Sequence, residues 1–200
     1  MDLEKKIRKM GFSGSTYLEV IAILYRGTEI VNIVPLGFIL KKGKLVARIF
    51  RGSRTYKLIT EGNTDRGRIC IAKDATLFYL AIFKKEEALK TFNKLCTAYI
   101  DFNIVKVELR RNYANVYGEP VGVKIVDIVP KGFTRASAAV VEALVWLSKI
   151  PYVDKRRKAI YENYVKMCVE VIRRSSRSRR YRAIAQDIVK YLQNSTSYLS

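Results

Sequence analysis

The chain has 200 residues, 49% of them hydrophobic, and its 38 basic and 18 acidic side chains leave a net charge of +20. That composition supports a buried core, while the absence of histidine excludes a Ser-His-Asp triad, a Cys-His dyad and any histidine-ligated metal. A positive field of this size attracts polyanions: nucleic acid, anionic membrane or phosphorylated ligands.

The first nine residues are charged and lack the apolar segment of a signal peptide. No run of 18 apolar residues follows, so the sequence predicts a cytoplasmic protein with no membrane partner. Lys5 to Met10 reads as a short amphipathic helix or arm. Tyr17 to Tyr25, Ile30 to Lys41, Lys44 to Phe50 and Arg68 to Ala72 read as strands, rich in β-branched and aromatic residues between glycine-containing turns. Ala75 to Phe83 and Glu86 to Cys96 read as helical. Tyr99 to Arg110 and Val121 to Val129 are longer strands, joined by a segment with turn-type residues from Asn112 to Pro120. Strands at this spacing favour an antiparallel barrel over a parallel sheet.

After Pro130-Lys131-Gly132 the apolar period changes from two to 3.6. Three helical stripes follow, starting at Ala136 behind a Thr134 N-cap, at Ile160, and at Tyr181. Asn194 to Ser200 reads as a polar tail. The cysteines, Cys70, Cys96 and Cys168, are too widely spaced for a C-x-x-C pair or a disulfide framework, so each is expected to be a small buried hydrophobe.

The stretch from Val31 to Thr55 is the most informative. Pro35 and Gly37 interrupt an apolar strand, which marks a place where another backbone or a ligand approaches. The strand is apolar on both faces and requires a cover, from a partner subunit or from the helical part. A polar elbow, Arg51-Gly52-Ser53-Arg54-Thr55, then combines cations, hydroxyls and a glycine, a set suited to phosphate. The competing reading is a β-hairpin with an arginine-rich surface turn.

Three segments together resemble a known family. Gly11 with Tyr17-Leu18-Glu19-Val20-Ile21, then Pro35-Leu36-Gly37, then Phe133-Thr134-Arg135-Ala136 leading into Glu142-Ala143-Leu144-Val145 are similar in order and spacing to the archaeal and bacterial domain of unknown function 447. The resemblance runs from about Gly11 to about Leu192. It implies a mainly β fold with α, an FMN-binding split β-barrel of the flavin-reductase type over residues 1–130, followed by a three-helix part over 131–200. It also implies FMN as cofactor and a homodimer that completes each site. Carried onto this chain, Asn32, Pro35, Leu36 and Gly37 flank the flavin ring, and Arg51, Ser53, Arg54 and Thr55 hold the phosphate. Arg135, at a helix start, adds a charge there or pairs with Glu142 or another carboxylate. Departures from the family pattern are Lys57-Leu58 and Cys70 where asparagines usually stand, Thr134 for asparagine, and Lys149 for arginine.

Two functions follow. One is an FMN-binding flavoprotein, an oxidoreductase of unassigned substrate, with Tyr56 and Lys57 candidate acids by position alone. The other is a flavin-free basic barrel that binds nucleic acid. It is suggested by the six arginines of Arg173-Arg174-Ser175-Ser176-Arg177-Ser178-Arg179-Arg180-Tyr181-Arg182 and by tyrosines near basic residues. A solvated, charge-rich inter-helix loop is the plain alternative for that run.

Overall fold

The computed structural model describes residues 3–73, 76–126 and 132–197. The chain forms two compact units, residues 1–14 with 18–133, and residues 15–17 with 134–200.

The first unit is a closed six-stranded antiparallel barrel: β1 (Leu18–Arg26), β2 (Glu29–Lys41), β3 (Lys44–Phe50), β4 (Arg66–Ala72), β5 (Cys96–Leu109) and β6 (Tyr113–Ile125), in the order β1-β2-β3-β6-β5-β4. The expected antiparallel barrel followed by helices is the one observed, in a chain of mixed α and β content. Alternation along β1 sends Leu18, Val20, Ala22 and Leu24 into the barrel and Ile21 and Ile23 to its outside. The helix α1 (Leu3–Lys9) adds Ile7 to the interior cluster, joined by Met10 and Phe12 just after it, beside Leu40 and Leu45 at the β2–β3 turn. From the connection between β3 and β4, α2 (Arg54–Thr60) adds Ile59 and Tyr56. On the outside, α3 (Thr76–Phe83) and α4 (Lys85–Leu95) cover Ile21, Ile23, Ile33 and Cys70. Part of the cover required by the doubly apolar β2 therefore comes from α3 and α4 of the same chain.

Several expectations are corrected. The polar elbow does not continue as a turn: Ser53 caps α2, its hydroxyl accepting from the Tyr56 amide at 3.1 Å. The segment from Asn112 to Pro120 is mostly strand. Ala114, Val116 and Gly118 take one face of β6, and Pro120 stands opposite Phe102 beside a bulge in β6 that leaves Val121 unpaired. Gly118 is needed there because an added Cβ would lie 2.5 Å from the buried Phe102 ring. Cys70 and Cys96 are not free hydrophobes. They form a disulfide, with Cα atoms 5.5 Å apart, that ties the end of β4 to the start of β5 across the α3–α4 excursion. Cys168 is the remaining thiol, pushed up in pKa by burial and then by the charge of Glu142. The expected helix start at Ala75 and the end of the expected strand, Asp127 to Val129, lie outside the described residues.

The second unit holds the three expected helices, α5 (Arg135–Lys149), α6 (Lys155–Ser175) and α7 (Arg179–Ser197), with a single 3₁₀ turn at Ile150–Tyr152. Asn194 to Ser197 belong to α7 rather than to a tail. Thr134 caps α5 as expected, accepting from the Ser137 amide at 3.1 Å. Ala143, Leu147, Val165, Val169, Ile172, Ala185 and Ile188 form the shared core. None of the described helices is long and apolar enough to cross a membrane.

Candidate functional site

The barrel is not laddered evenly. β2 pairs with β1 from Glu29 to Phe38, but with β3 only from Phe38 to Lys41. Between Val34 and Gly37 the β3 side of β2 therefore has no strand partner, and all four residues are half-buried. No backbone bond to another described element fills that edge. The backbone between Val34 and Gly37 has an open edge, while the Val34 and Leu36 side chains pack against the barrel interior.

One end of this edge carries a polar cluster. The register shift between Leu24 and Tyr25 leaves Val31 as an extra residue of β2, and the Arg54 guanidinium donates to its carbonyl at 3.3 Å. The next residue, Asn32, is only 5% exposed. Its Nδ2 donates to Thr55 Oγ1 at 3.0 Å, and its Oδ1 accepts from Lys85 Nζ at 3.0 Å. Asn32 thus joins the first turn of α2 to the first residue of α4. Lys85 is half-buried, and its pKa is lowered by burial first and by the charge of Arg54 second. No carboxylate among the described residues pairs with either cation. Two positive groups held on consecutive residues of β2 without a carboxylate partner leave a local excess of positive charge.

The predicted site residues are distributed as follows. Asn32, Arg54 and Thr55 converge with Lys85, while Ser53 spends its hydroxyl on capping α2 and on donating to the Phe50 carbonyl at 2.9 Å. Pro35, Leu36 and Gly37 lie on the open edge. Pro35 is three residues beyond Asn32, roughly 10 Å along an extended strand. Arg51 turns away: its guanidinium donates to the Arg111 carbonyl at 3.3 Å, in the connection between β5 and β6. Arg135 belongs to the second unit, exposed in the first turn of α5. It makes no ion pair with Glu142, because residues seven apart stand two helical turns from each other.

Lys85 escaped the sequence reading. Its one signal is Lys84-Lys85 directly before Glu86-Glu87, cations at a helix start where carboxylates are favoured. A second polar group also went unread. Arg68 makes a two-pronged bond to Asp101 at 2.6 and 3.1 Å and lies 5.4 Å from the Tyr99 ring centre. With Tyr25, Arg66 and Asn103 it lines a pocket of about 310 Å³ on the outer wall. Here the charge is compensated, unlike that of Arg54 and Lys85.

A sequence model described as "Protein of unknown function (DUF447), N-terminal domain" matches residues 18–127, more than half of the chain and nearly all of the barrel. The chain belongs to the DUF447 family. No curated protein matches it. Among solved structures, this DUF447 chain is similar to an FMN-bound protein from Methanosarcina mazei assigned to the same family, at 15% identity and a TM-score of 0.47, over 93% of this chain and 100% of that one. It is also similar to component B of nitrilotriacetate monooxygenase from Mycobacterium thermoresistibile, at 12% identity and a TM-score of 0.46, over 62% and 77% of the two chains. A third is flavoredoxin from Methanosarcina acetivorans, at 11% identity and a TM-score of 0.43, over 58% and 74%.

Proposed function

We propose that this DUF447 chain is an FMN-binding flavoprotein. The observation that carries the reading is the pair Arg54 and Lys85, positive and without a carboxylate partner, at one end of the unladdered edge from Val34 to Gly37. A flavin mononucleotide requires an apolar slot for its ring, backbone groups for its pyrimidine rim and cations for its phosphate. In this reading the phosphate sits between Arg54 and Lys85, and the ring lies along Pro35, Leu36 and Gly37. Asn32 and Thr55 position the two cations. The FMN-bound relative named above supports the same cofactor. FMN supplies hydride and single-electron chemistry when bound, and the residues described here bind and orient it. The reading extends to an oxidoreductase working as a homodimer, in which a second subunit covers the open edge of β2.

The test is titration of the purified protein with FMN and with riboflavin, followed by flavin fluorescence. FMN is expected to bind, and Arg54→Ala to weaken it by roughly ten- to a hundredfold, in line with ~1.5–3 kcal/mol for a charge-assisted hydrogen bond. Riboflavin, which lacks the phosphate, should lose little. An unmutated protein that binds no FMN would dispose of the reading; equal losses for both ligands would show that Arg54 acts through folding.

A further inference from the structure

The arginine run between α6 and α7 is not used by the flavin reading and does not depend on it. It is a built corner rather than a loose tail. α6 ends at Ser175, and Ser176 and Ser178 turn the chain into α7. The Ser178 amide donates to Ser176 Oγ at 3.2 Å, and the Tyr181 amide donates to Ser178 Oγ at 3.3 Å. The short segment 15–17 braces the turn. The Tyr17 amide donates to the Ser175 carbonyl at 3.1 Å, and the Arg177 amide donates to the Ser15 carbonyl at 2.7 Å. Ser175 and Ser176 are buried, while all six arginines are exposed.

The charges are uncompensated. Arg174 pairs with Glu170 at 3.1 Å, but Arg173, Arg177, Arg179, Arg180 and Arg182 have no carboxylate partner among the described residues. Arg179, Arg180 and Arg182 also stand in the first turn of α7, which holds no acidic residue. That is the positive end of the helix, so each arginine there acts against the macrodipole. A face shaped only for solubility or heat resistance interleaves lysine with glutamate. This one has arginine alone, the side chain whose planar fork matches phosphate oxygens two at a time.

We propose that the α6–α7 corner binds the phosphate backbone of nucleic acid without reading its sequence. An anionic membrane is the competing polyanion, but surface-seeking helices place large apolar side chains beside their cations. Between Cys168 and Lys190 no large hydrophobic residue is exposed.

The test uses the full chain, a short labelled mixed-sequence DNA duplex and a single-stranded RNA of the same length, with anisotropy read between about 50 and 200 mM salt. A variant carrying Arg177→Gln, Arg179→Gln, Arg180→Gln and Arg182→Gln is compared with one carrying Lys41→Gln, Lys42→Gln, Lys90→Gln and Lys94→Gln, which removes the same charge elsewhere. The arginine variant is expected to lose roughly tenfold or more at low salt and to flatten the log–log salt slope by about 3 to 4, while the lysine variant keeps most of the binding. Should the fourfold variant fail to fold, Arg179→Gln and Arg182→Gln alone should each reduce the slope by about 1. Equal losses in the two fourfold variants would reduce the effect to net charge and overturn the proposal. So would a wild-type chain that binds neither nucleic acid, or one that binds only phosphatidylserine vesicles.

Discussion

The side-chain amide of Asn32 donates to the hydroxyl of Thr55 across 3.0 Å, both residues almost wholly buried. Through this bond the bulged start of β2 holds the first turn of α2, and through its Oδ1 the same asparagine holds Lys85 of α4. A buried amide with all its partners in place favours one arrangement of three elements.

Thr55→Val keeps the shape of the side chain and removes the acceptor. The Asn32 Nδ2 is left buried with one bond fewer, at a cost of about 1–3 kcal/mol. Urea denaturation should show a lower midpoint at an unchanged slope, and weaker FMN binding should accompany it.

The FMN affinity should depend on pH through Lys85. In the free protein burial and Arg54 hold this amine below the ordinary lysine value of 10.5. A bound phosphate favours the charged form and raises it again, so binding takes up a proton between the two values. Affinity is therefore expected to fall as pH rises towards 10.5. Calorimetry in buffers of different ionisation enthalpy reads the proton directly, and Lys85→Gln should abolish the uptake.

Replacing Cys70 and Cys96 together by alanine should cost about 3–4 kcal/mol, the value expected when a closed loop of this length is released in the unfolded chain. Thermal melts with and without a thiol reductant should show the same shift in the wild-type protein and none in the double variant.

Gly118→Ala forces a methyl group into the face of the Phe102 ring and should destabilise the barrel by about 1–3 kcal/mol. In a Phe102→Leu background the same substitution should cost much less. Additive effects in this cycle would show that the two sites are not in contact.

Tyr25 gives the fold an alkaline limit. Burial raises its phenol above the ordinary 10.0, Arg68 opposes that shift and Asp101 adds to it. The folded chain therefore holds the proton longer than the unfolded one. Its contribution is complete below pH 10.0 and is lost as pH climbs through the raised value. Between pH 10.0 and that raised value, urea midpoints should fall less steeply for Tyr25→Phe than for the wild-type chain.

The strands β1, β2 and β3 were legible because their β-branched runs are long and bounded by glycine turns. The C-terminal helices were legible from their 3.6-residue period. β6 was obscured by Gly118 and Pro120, which read as turn residues but serve the packing of Phe102 and a bulge. α2 was hidden because Arg54-Thr55-Tyr56-Lys57 has little helical bias, and its stability comes from the Ser53 cap and the burial of Ile59. The Cys70–Cys96 bond leaves no local trace, and Lys84-Lys85 before Glu86-Glu87 marks Lys85 as unusual without pointing to Asn32. Both contacts are products of the α3–α4 excursion returning to the barrel. The family resemblance located Asn32, Arg54 and Thr55 within one region, but the division of labour between Arg51 and Arg54 needed coordinates.

The break in pairing between β2 and β3 has a consequence for assembly. An unladdered strand flanked by Val34 and Leu36 is a template on which a foreign strand can add, the usual seed of sheet-to-sheet aggregation. Pro35 stands in the middle of that template and has no N–H to give, so an incoming strand finds its ladder interrupted at the centre. The proline thus blunts this edge as a template for a further strand.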